Sequence, residues 1–282
     1  MQDHYIAILL ATYNGAKYLS EQLESIAAQT FRQWHLFIHD DGSTDGTRDV
    51  LKAFASRHPQ QVTLLDYPAQ GGACRNFLSM LERVEATYYM FADQDDVWHT
   101  DKIEKSLRTM HQAEGGQRAG EPIVVHTDLS IVDTQEQIIH ESFFAFANIH
   151  PERFHTFSDY VQNVVTGSTM LFNQAAKEAS LSKPYDRATM HDAWVMLCTA
   201  AHQGERVTIY EPLVDYRQHA DNVLGAQDGH RFTIAYRLTH TYEMLRQITA
   251  HYRMMRSAGA ITLLTFIRKK TKAFIQNNFS SQ

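Results

Sequence analysis

Between residues 5 and 92 the chain alternates short, unbroken apolar runs with stretches whose apolar residues recur at helical spacing, and few folds accept that order. Tyr5 to Thr12 is almost continuously apolar, as a parallel strand buried on both faces requires. Leu19, Leu23 and Ile26 then share one helical face, and Trp34 to His39 reads as a second strand. Ser43 or Asp45 is placed to cap the next helix, whose inner face carries Val50, Leu51 and Phe54. Val62 to Leu65 is a third strand, Gly71-Gly72 precedes a helix holding Phe77, Leu78 and Leu81, and Tyr88 to Ala92 is a fourth strand. This order predicts an α/β fold with a parallel, doubly wound sheet. Its ligand crevice should lie at the carboxyl ends of the strands.

Beyond Pro122 the pattern is mixed. Ile123 to Thr127 and Val164 to Phe172 read as strands, Asp192 to Ala201 as a helix, and Val207 to Tyr210 and Leu213 to Tyr216 as two short strands. Gly115 to Gly120 reads as a mobile loop. From His230 the chain turns helical, with Leu238, Tyr242, Leu245, Ile248, Tyr252 and Met255 forming a sustained apolar stripe, and Gly259 separating a last basic helix. The expected division is a domain over 1–229 and a helical C-terminal extension over 230–282.

Charge follows the same division. Residues 230–282 hold nine Lys and Arg against Glu243 alone, leaving 17 basic and 31 acidic residues in 1–229. A basic tail on an acidic body predicts an anionic partner for the tail. A membrane surface suits it better than nucleic acid, because the tail carries no recognised nucleic-acid module and the body repels a polyanion. The apolar stripe packs on the domain or on a second subunit, which would make a homo-oligomer, or it forms with the last helix an interfacial pair, for which Leu263, Leu264, Phe266 and Ile267 beside Arg268-Lys269-Lys270 are best suited; both can hold. Cys74 and Cys198 lie far apart without metal-ligand spacing, and no signal peptide precedes the first strand. The expected location is cytoplasmic, with the tail on the inner face of the cytoplasmic membrane.

Three polar clusters fall at strand ends of one polarity: Thr12-Tyr13-Asn14-Gly15, Asp40-Asp41-Gly42-Ser43, and Asp93-Gln94-Asp95-Asp96. Several carboxylates at one sheet edge are unfavourable unless a cation or a hydrogen-bonded ligand offsets them. A divalent metal that also holds a phosphate is one resolution, and a solvated acidic turn is the other. Tyr13 either stacks on a base or packs as a turn aromatic. Asp41 either accepts from a base or ribose, or closes an Asx-turn. Asp96 reads as a helix N-cap or a supporting acid rather than a ligand.

With Gln29-Thr30-Phe31 and Asp40-Asp41-Gly42-Ser43-Thr44-Asp45, these clusters resemble the N-terminal half of family-2 glycosyltransferases of the GT-A fold. Asp93-Gln94-Asp95-Asp96-Val97-Trp98, Thr166-Gly167-Ser168, His191-Asp192 and Tyr216-Arg217-Gln218-His219 most resemble bacterial rhamnosyltransferases of surface polysaccharide synthesis. The resemblance covers roughly residues 5–225. It implies a Rossmann-like, mostly parallel sheet flanked by helices, and an inverting reaction dependent on Mn2+ or Mg2+. Thr12, Tyr13 and Asp41 would line the nucleoside pocket, Asn14 would also bind the donor, Asp93 would face the ribose and diphosphate, and Asp95 and His219 would bind the metal. Gly167 and Ser168 would let the backbone approach the sugar, unless they mark a strand bend. Arg75 and Arg217 would contact phosphate. Asp192 would be the base, against the plainer reading of an N-cap, while His191 packs rather than orienting Asp192, and Trp194 anchors its helix rather than offering a platform to a sugar face.

The implied donor is dTDP-rhamnose, with UDP-hexoses next, and the implied acceptor is a glycan or lipid-linked oligosaccharide. A nucleotidyltransferase would show a glycine-rich basic loop after the first strand, which Thr12-Tyr13-Asn14-Gly15 lacks. A scaffold with a disabled site is opposed by intact Asp93, Asp95, Asp192 and His219. Closure over the donor is expected from a segment near 217–230, including Asn222, Gly225 and Gly229.

Overall fold

A computed structural model describes residues 5–115, 120–219 and 241–279. The first four strands are β1 (Ile6–Thr12), β2 (Trp34–Asp40), β3 (Val62–Leu64) and β4 (Tyr88–Ala92). Helices α1 (Leu19–Ala27), α2 (Thr47–Arg57) and α3 (Ala73–Arg83) alternate with them. β1 pairs in parallel with both β2 and β4, and β2 with β3. The ordering in space is 3-2-1-4, so the expected doubly wound half is present.

The sheet then continues through β8 (Met170–Asn173), β6 (Ile123–Val132), β9 (Glu205–Arg217) and β5 (Val97–Trp98), while β7 (Ile138–His140) pairs with β6. β8 runs antiparallel to both its neighbours, whereas β9 runs parallel to β6, which makes the sheet mixed. Four helices sit among these later strands: α4 (Lys102–Glu114), α5 (Phe143–Phe146), α6 (Gln174–Leu181) and α7 (His191–Ala201). The chain closes with α8 (Thr241–Ala258) and α9 (Leu263–Phe279).

Alternate β1 side chains feed two cores, as the pleat demands. Ile6, Ile8 and Leu10 pack with Leu19, Leu23 and Ile26 of α1, Leu51 and Phe54 of α2, and Ile103 and Met110 of α4. Ala7 and Leu9 join the opposite core with Phe77, Leu78 and Leu81 of α3, Trp194 of α7, Met254 and Met255 of α8, and Phe266 of α9. The C-terminal helices therefore share a core with the sheet. The boundary at 229/230 lies outside the described residues.

Four sequence expectations are corrected. Val164 to Phe172 is strand only from Met170. Asn163 satisfies Val165 from its own side chain (Nδ2 to O 2.8 Å, and N–H to Oδ1 3.2 Å), and Thr169 closes a 3₁₀ turn on Thr166 O (3.0 Å). Such local bonds compete with a ladder. Val207 to Tyr210 and Leu213 to Tyr216 are one strand, interrupted where Pro212 stands opposite Asp128 and the register shifts. α2 begins behind Gly46 rather than at a Ser43 or Asp45 cap, although Asp45 still accepts the Thr47 N–H at 2.9 Å. Asp96 caps no helix, because it leads into β5 and α4 starts only at Lys102.

The C-terminal stripe packs only in part. Met255 is buried, whereas Leu245 and Ile248 are exposed. α8 packs on the body through its second half, where the Thr189 N–H and hydroxyl donate to Met254 Sδ at 3.4 Å. Leu238, and the Asn222, Gly225 and Gly229 segment expected to close, lie outside the described residues, as do 116–119 of the Gly115 to Gly120 loop and the side chain of Tyr242.

Candidate active site

The register fixes where the polar clusters meet. Thr12 pairs with Asp40, and Leu10 with both Ile38 and Ala92, so β1, β2 and β4 end level with one another. Thr12 is buried and its hydroxyl donates to Asp40 Oδ1 at 3.1 Å. Asp40, not Asp41, closes the local turn: its Oδ2 accepts the Ser43 N–H at 3.0 Å and the Arg48 Nε–H at 2.7 Å. Those bonds hold its carboxyl below the usual range despite burial.

Asn14 adopts φ +49°, a left-handed conformation that asparagine tolerates. Its N–H reaches Ser43 Oγ and its Oδ1 accepts the Thr44 N–H, both at 2.8 Å, which locks the first loop to the second. Gln94 locks the first loop to the third. Its amide accepts the Tyr13 N–H at 2.8 Å and donates to the Tyr13 carbonyl at 3.1 Å. Any side chain at Gly15 would overlap that amide. The Tyr13 ring is left 57% exposed beside these fixed groups. Gln94 carried no role in the sequence reading; the glycine at position 15 was the only trace of its demand for space.

Asp41 is cradled from outside its own turn. It accepts N–H groups from Gln70, from Gly71 at 3.2 Å and from Gly72 at 2.7 Å. Gly71 at φ +76° and Gly72 at φ +134° supply backbone shapes that side chains resist, and nothing crowds them. A carboxylate offers about four acceptor sites, so three such bonds leave room for one more donor. Arg75, a turn further on, is exposed at the rim of a recess lined by Gln70, Pro184, Tyr185 and Asp186.

The third loop gathers charge. Burial, then the charges of Asp95 and Asp192, push the Asp93 carboxyl up to about 7. Asp96 is fully buried and raised well above the usual range, first by burial and then by Asp95 and Asp93. Ser168 Oγ and the Arg217 N–H lie beside Asp96 and lower it, yet its oxygens have no partner in full hydrogen-bond geometry.

Asp95 Oδ2 stands 2.8 Å from His219 Nε2, and the His219 ring lies 4.9 Å from that of Tyr18. This contact is a hydrogen bond; a carboxylate oxygen and an imidazole nitrogen are both donor atoms that Mn2+ accepts, so Asp95 and His219 would be the side chains to hold a cation here in place of the shared proton. Among the described residues no group of three or more His, Cys, Asp or Glu side chains is placed to hold a metal. Further ligands would come from diphosphate and water.

Arg217 is nearly fully buried, and its fork is committed within the protein. Nε donates to the Asp95 carbonyl at 3.1 Å, Nη1 to the Thr134 carbonyl at 3.4 Å, and Nη2 to Glu136 at 3.0 Å and to Glu21. It also sits 4.8 Å above the Tyr18 ring. This arginine braces the turn that carries Asp95.

Asp192 is the second residue of α7 and is buried. Its Oδ1 accepts the Ala193 N–H at 2.6 Å and its Oδ2 the Asn163 Nδ2–H at 3.2 Å. Burial outweighs these bonds and pushes the carboxyl up to about 6. His191 packs, as expected, 4.0 Å from the Phe77 ring and 4.7 Å from that of Phe91, and burial drives its pKa down to about 3. A Cβ on Gly167 would come within 2.5 Å of His191 Nε2, so this glycine admits the imidazole to its slot. Ser168 is buried behind it. Trp194 anchors α7 by donating from Nε1 to Ser180 O at 2.9 Å.

Hydrogen bonds between loops thus bring the first, second and third clusters to the same end of the sheet, and the charge of Asp192, at the start of α7, acts on Asp93 there. The profile of Glycosyl transferase family 2 matches residues 7–174, more than half of the chain. The chain belongs to that family. The dTDP-rhamnosyl transferase RfbG of Shigella flexneri is 37% identical over 102 residues, which is 35% of this chain and 35% of that protein. The chain thus matches about a third of that relative's length. Among solved structures, TarS 1-349 of S. aureus in complex with UDP-GlcNAc aligns with a TM-score of 0.60 at 15% identity, over 98% of this chain and 73% of that one. The mannosyltransferase PcManGT from Pyrobaculum calidifontis, in complex with GDP-Man and Mn2+, aligns with a TM-score of 0.54 at 17% identity, over 98% and 81%. The family-2 chain therefore has a GT-A type fold.

Proposed function

We propose that this family-2 chain is an inverting, metal-dependent glycosyltransferase. It moves a sugar from a nucleotide-sugar donor to a hydroxyl of a glycan or lipid-linked acceptor in cell-surface polysaccharide synthesis. Residues 1–229 form the catalytic domain and 230–282 its extension, on the cytoplasmic side of the membrane. The observation that carries this reading is electrostatic: Asp192 and Asp95 both act on the Asp93 carboxyl, beside the Asp95–His219 pair. Carboxylates assembled at strand ends in this way suit a cation and a diphosphate.

The exposed Tyr13 ring offers the base a stacking face, and the free acceptor position of Asp41 takes a base or ribose donor. Asp93 faces the ribose and diphosphate. Asp95 and His219 hold Mn2+ or Mg2+, which when bound offsets the charge on the departing diphosphate. Asp192 accepts the proton of the acceptor hydroxyl as that oxygen bonds to the anomeric carbon and the sugar–phosphate bond breaks. A carboxyl near 6 suits the task, being ionised at neutral pH yet more basic than an ordinary aspartate. Arg217 acts here by bracing Asp95 rather than by touching phosphate. Asn14 acts through the loop it locks, and Gly167 and Ser168 through the packing behind the carboxylates.

The donor is dTDP-rhamnose, a choice supported by the likeness to RfbG, and a UDP-hexose is the second candidate. Incubation with each donor, Mn2+ and an undecaprenyl-diphosphate-linked sugar, followed by NMR of the product, tests the proposal. The anomeric centre should be inverted. Retention, or no transfer from any nucleotide sugar, would refute it.

A further inference from the structure

The last helix leaves an apolar surface uncovered. Leu263, Leu264 and Ile267 of α9 are 53%, 78% and 51% exposed, while Phe266 on the other side is buried in the core. At 3.6 residues per turn those three side chains occupy one arc of about 100°. The next positions around the helix belong to Arg268 and Lys272, both exposed. Beyond them, Lys269 and Ala273 turn towards the body, where Lys272, Arg153 and His150 line a recess of about 360 Å³. α9 is fixed there: Lys269 Nζ pairs with Asp159 at 2.5 Å, and Lys270 Nζ donates to Val161 O at 2.7 Å. None of the helices in the described residues is long and apolar enough to cross a membrane.

We infer that α9 is an interfacial helix that docks this protein on an anionic lipid surface. Leu263, Leu264 and Ile267 enter the acyl boundary, and Arg268 and Lys272 meet the phosphates. Charge complementarity selects this occupant. In the sequence the tail carries nine basic residues against one acid while residues 1–229 are strongly acidic, and on α9 Arg268 and Lys272 lie exposed beside the apolar arc, so this edge is one that a negative surface attracts. A second copy of the chain would bring the same basic edge to face itself. Apolar insertion and basic attraction are separate contributions, and stable docking needs both. The segment that holds α9 runs from Asp159 to Asn163, whose amide donates to Asp192, so the docked surface lies a short stretch of chain from the base. The inference deepens the proposed function by naming where a lipid-linked acceptor would be met, but docking itself does not require that reading.

Co-sedimentation of the full chain with vesicles tests it, read without any turnover. Binding is expected to phosphatidylglycerol–phosphatidylcholine vesicles and not to phosphatidylcholine alone, and high salt should release it. Arg268→Gln with Lys272→Gln should weaken binding about thirtyfold, from two lost contributions. Leu264→Ser with Ile267→Ser should weaken it by about tenfold or more. Vesicle binding unchanged in both pairs, or no binding by the wild type, would overturn the inference. So would light scattering that shows a dimer dissolved by the leucine–isoleucine pair. Donor hydrolysis in vesicle-free solution reports separately on the catalytic proposal.

Discussion

Asp192→Asn separates the base from the fold that holds it. The wild-type carboxyl is raised from the ordinary 3.8 to about 6 by burial, a change of about 2 pKa units worth about 3 kcal/mol between its two protonation states. The sign follows from proton binding. Between these two values the folded state holds more proton than the unfolded chain, so stability falls as pH rises through that window. Asparagine carries no charge and escapes this penalty. Its amide, however, turns a donor towards Asn163 Nδ2 or the Ala193 N–H, at a pH-independent cost of about 1–3 kcal/mol. The difference in stability between variant and wild type should therefore move in favour of the variant by about 1.4 kcal/mol between pH 5 and pH 7.5, whatever its absolute offset. Urea unfolding at the two pH values measures it. Donor binding should persist while transfer falls by at least about a hundredfold. A stability difference that is flat with pH would refute the buried, raised carboxyl, and near-normal turnover would refute its role as base.

Other expectations follow from the same geometry. Wild-type transfer should rise with pH through about 6 and then level off as Asp192 ionises, seen in a pH–rate profile at saturating donor. Gly167→Ala drives a methyl into His191 and should cost about 1–3 kcal/mol by chemical denaturation, with a proportionate fall in activity. Arg217→Met removes the brace behind Asp95. It should cost towards the low end of about 3–5 kcal/mol, because Glu21 and Glu136 are half in solvent, and should raise the metal concentration needed for half-maximal activity. Tyr13→Ala should weaken nucleotide binding by about 1–3 kcal/mol in calorimetry while leaving the unfolding midpoint almost unchanged.

The first half of the fold was legible because strands buried on both faces write themselves as unbroken apolar runs, as β1 and β4 do, while β2 alternates buried Trp34, Leu36 and Ile38 with half-buried His35 and Phe37. The second half was harder for local reasons. Val164 to Phe172 is apolar enough for a strand, but the Asn163 side chain and the Thr166–Thr169 turn take up the backbone bonds. Pro212 reads as a strand break, whereas the sheet absorbs it as a bulge. At the site, the strand-end carboxylates and the asparagine–glycine turn were visible as clusters. The roles of Gln94 and Arg217 were not, since each depends on a partner remote in sequence: Tyr13 for one, and Glu21, Asp95 and Glu136 for the other. The exposed half of the C-terminal stripe was also hidden, because periodicity marks an apolar face without saying whether anything covers it.

Calorimetric titration of dTDP-, UDP- and GDP-linked sugars, with and without Mn2+, into wild type and Asp95→Asn tests the central claim most directly. At least one nucleotide sugar should bind the wild type more tightly with Mn2+, and Asp95→Asn should abolish that gain. Wild type that binds no nucleotide sugar, or a metal effect that survives Asp95→Asn, would contradict a crevice built around Asp93, Asp95 and His219.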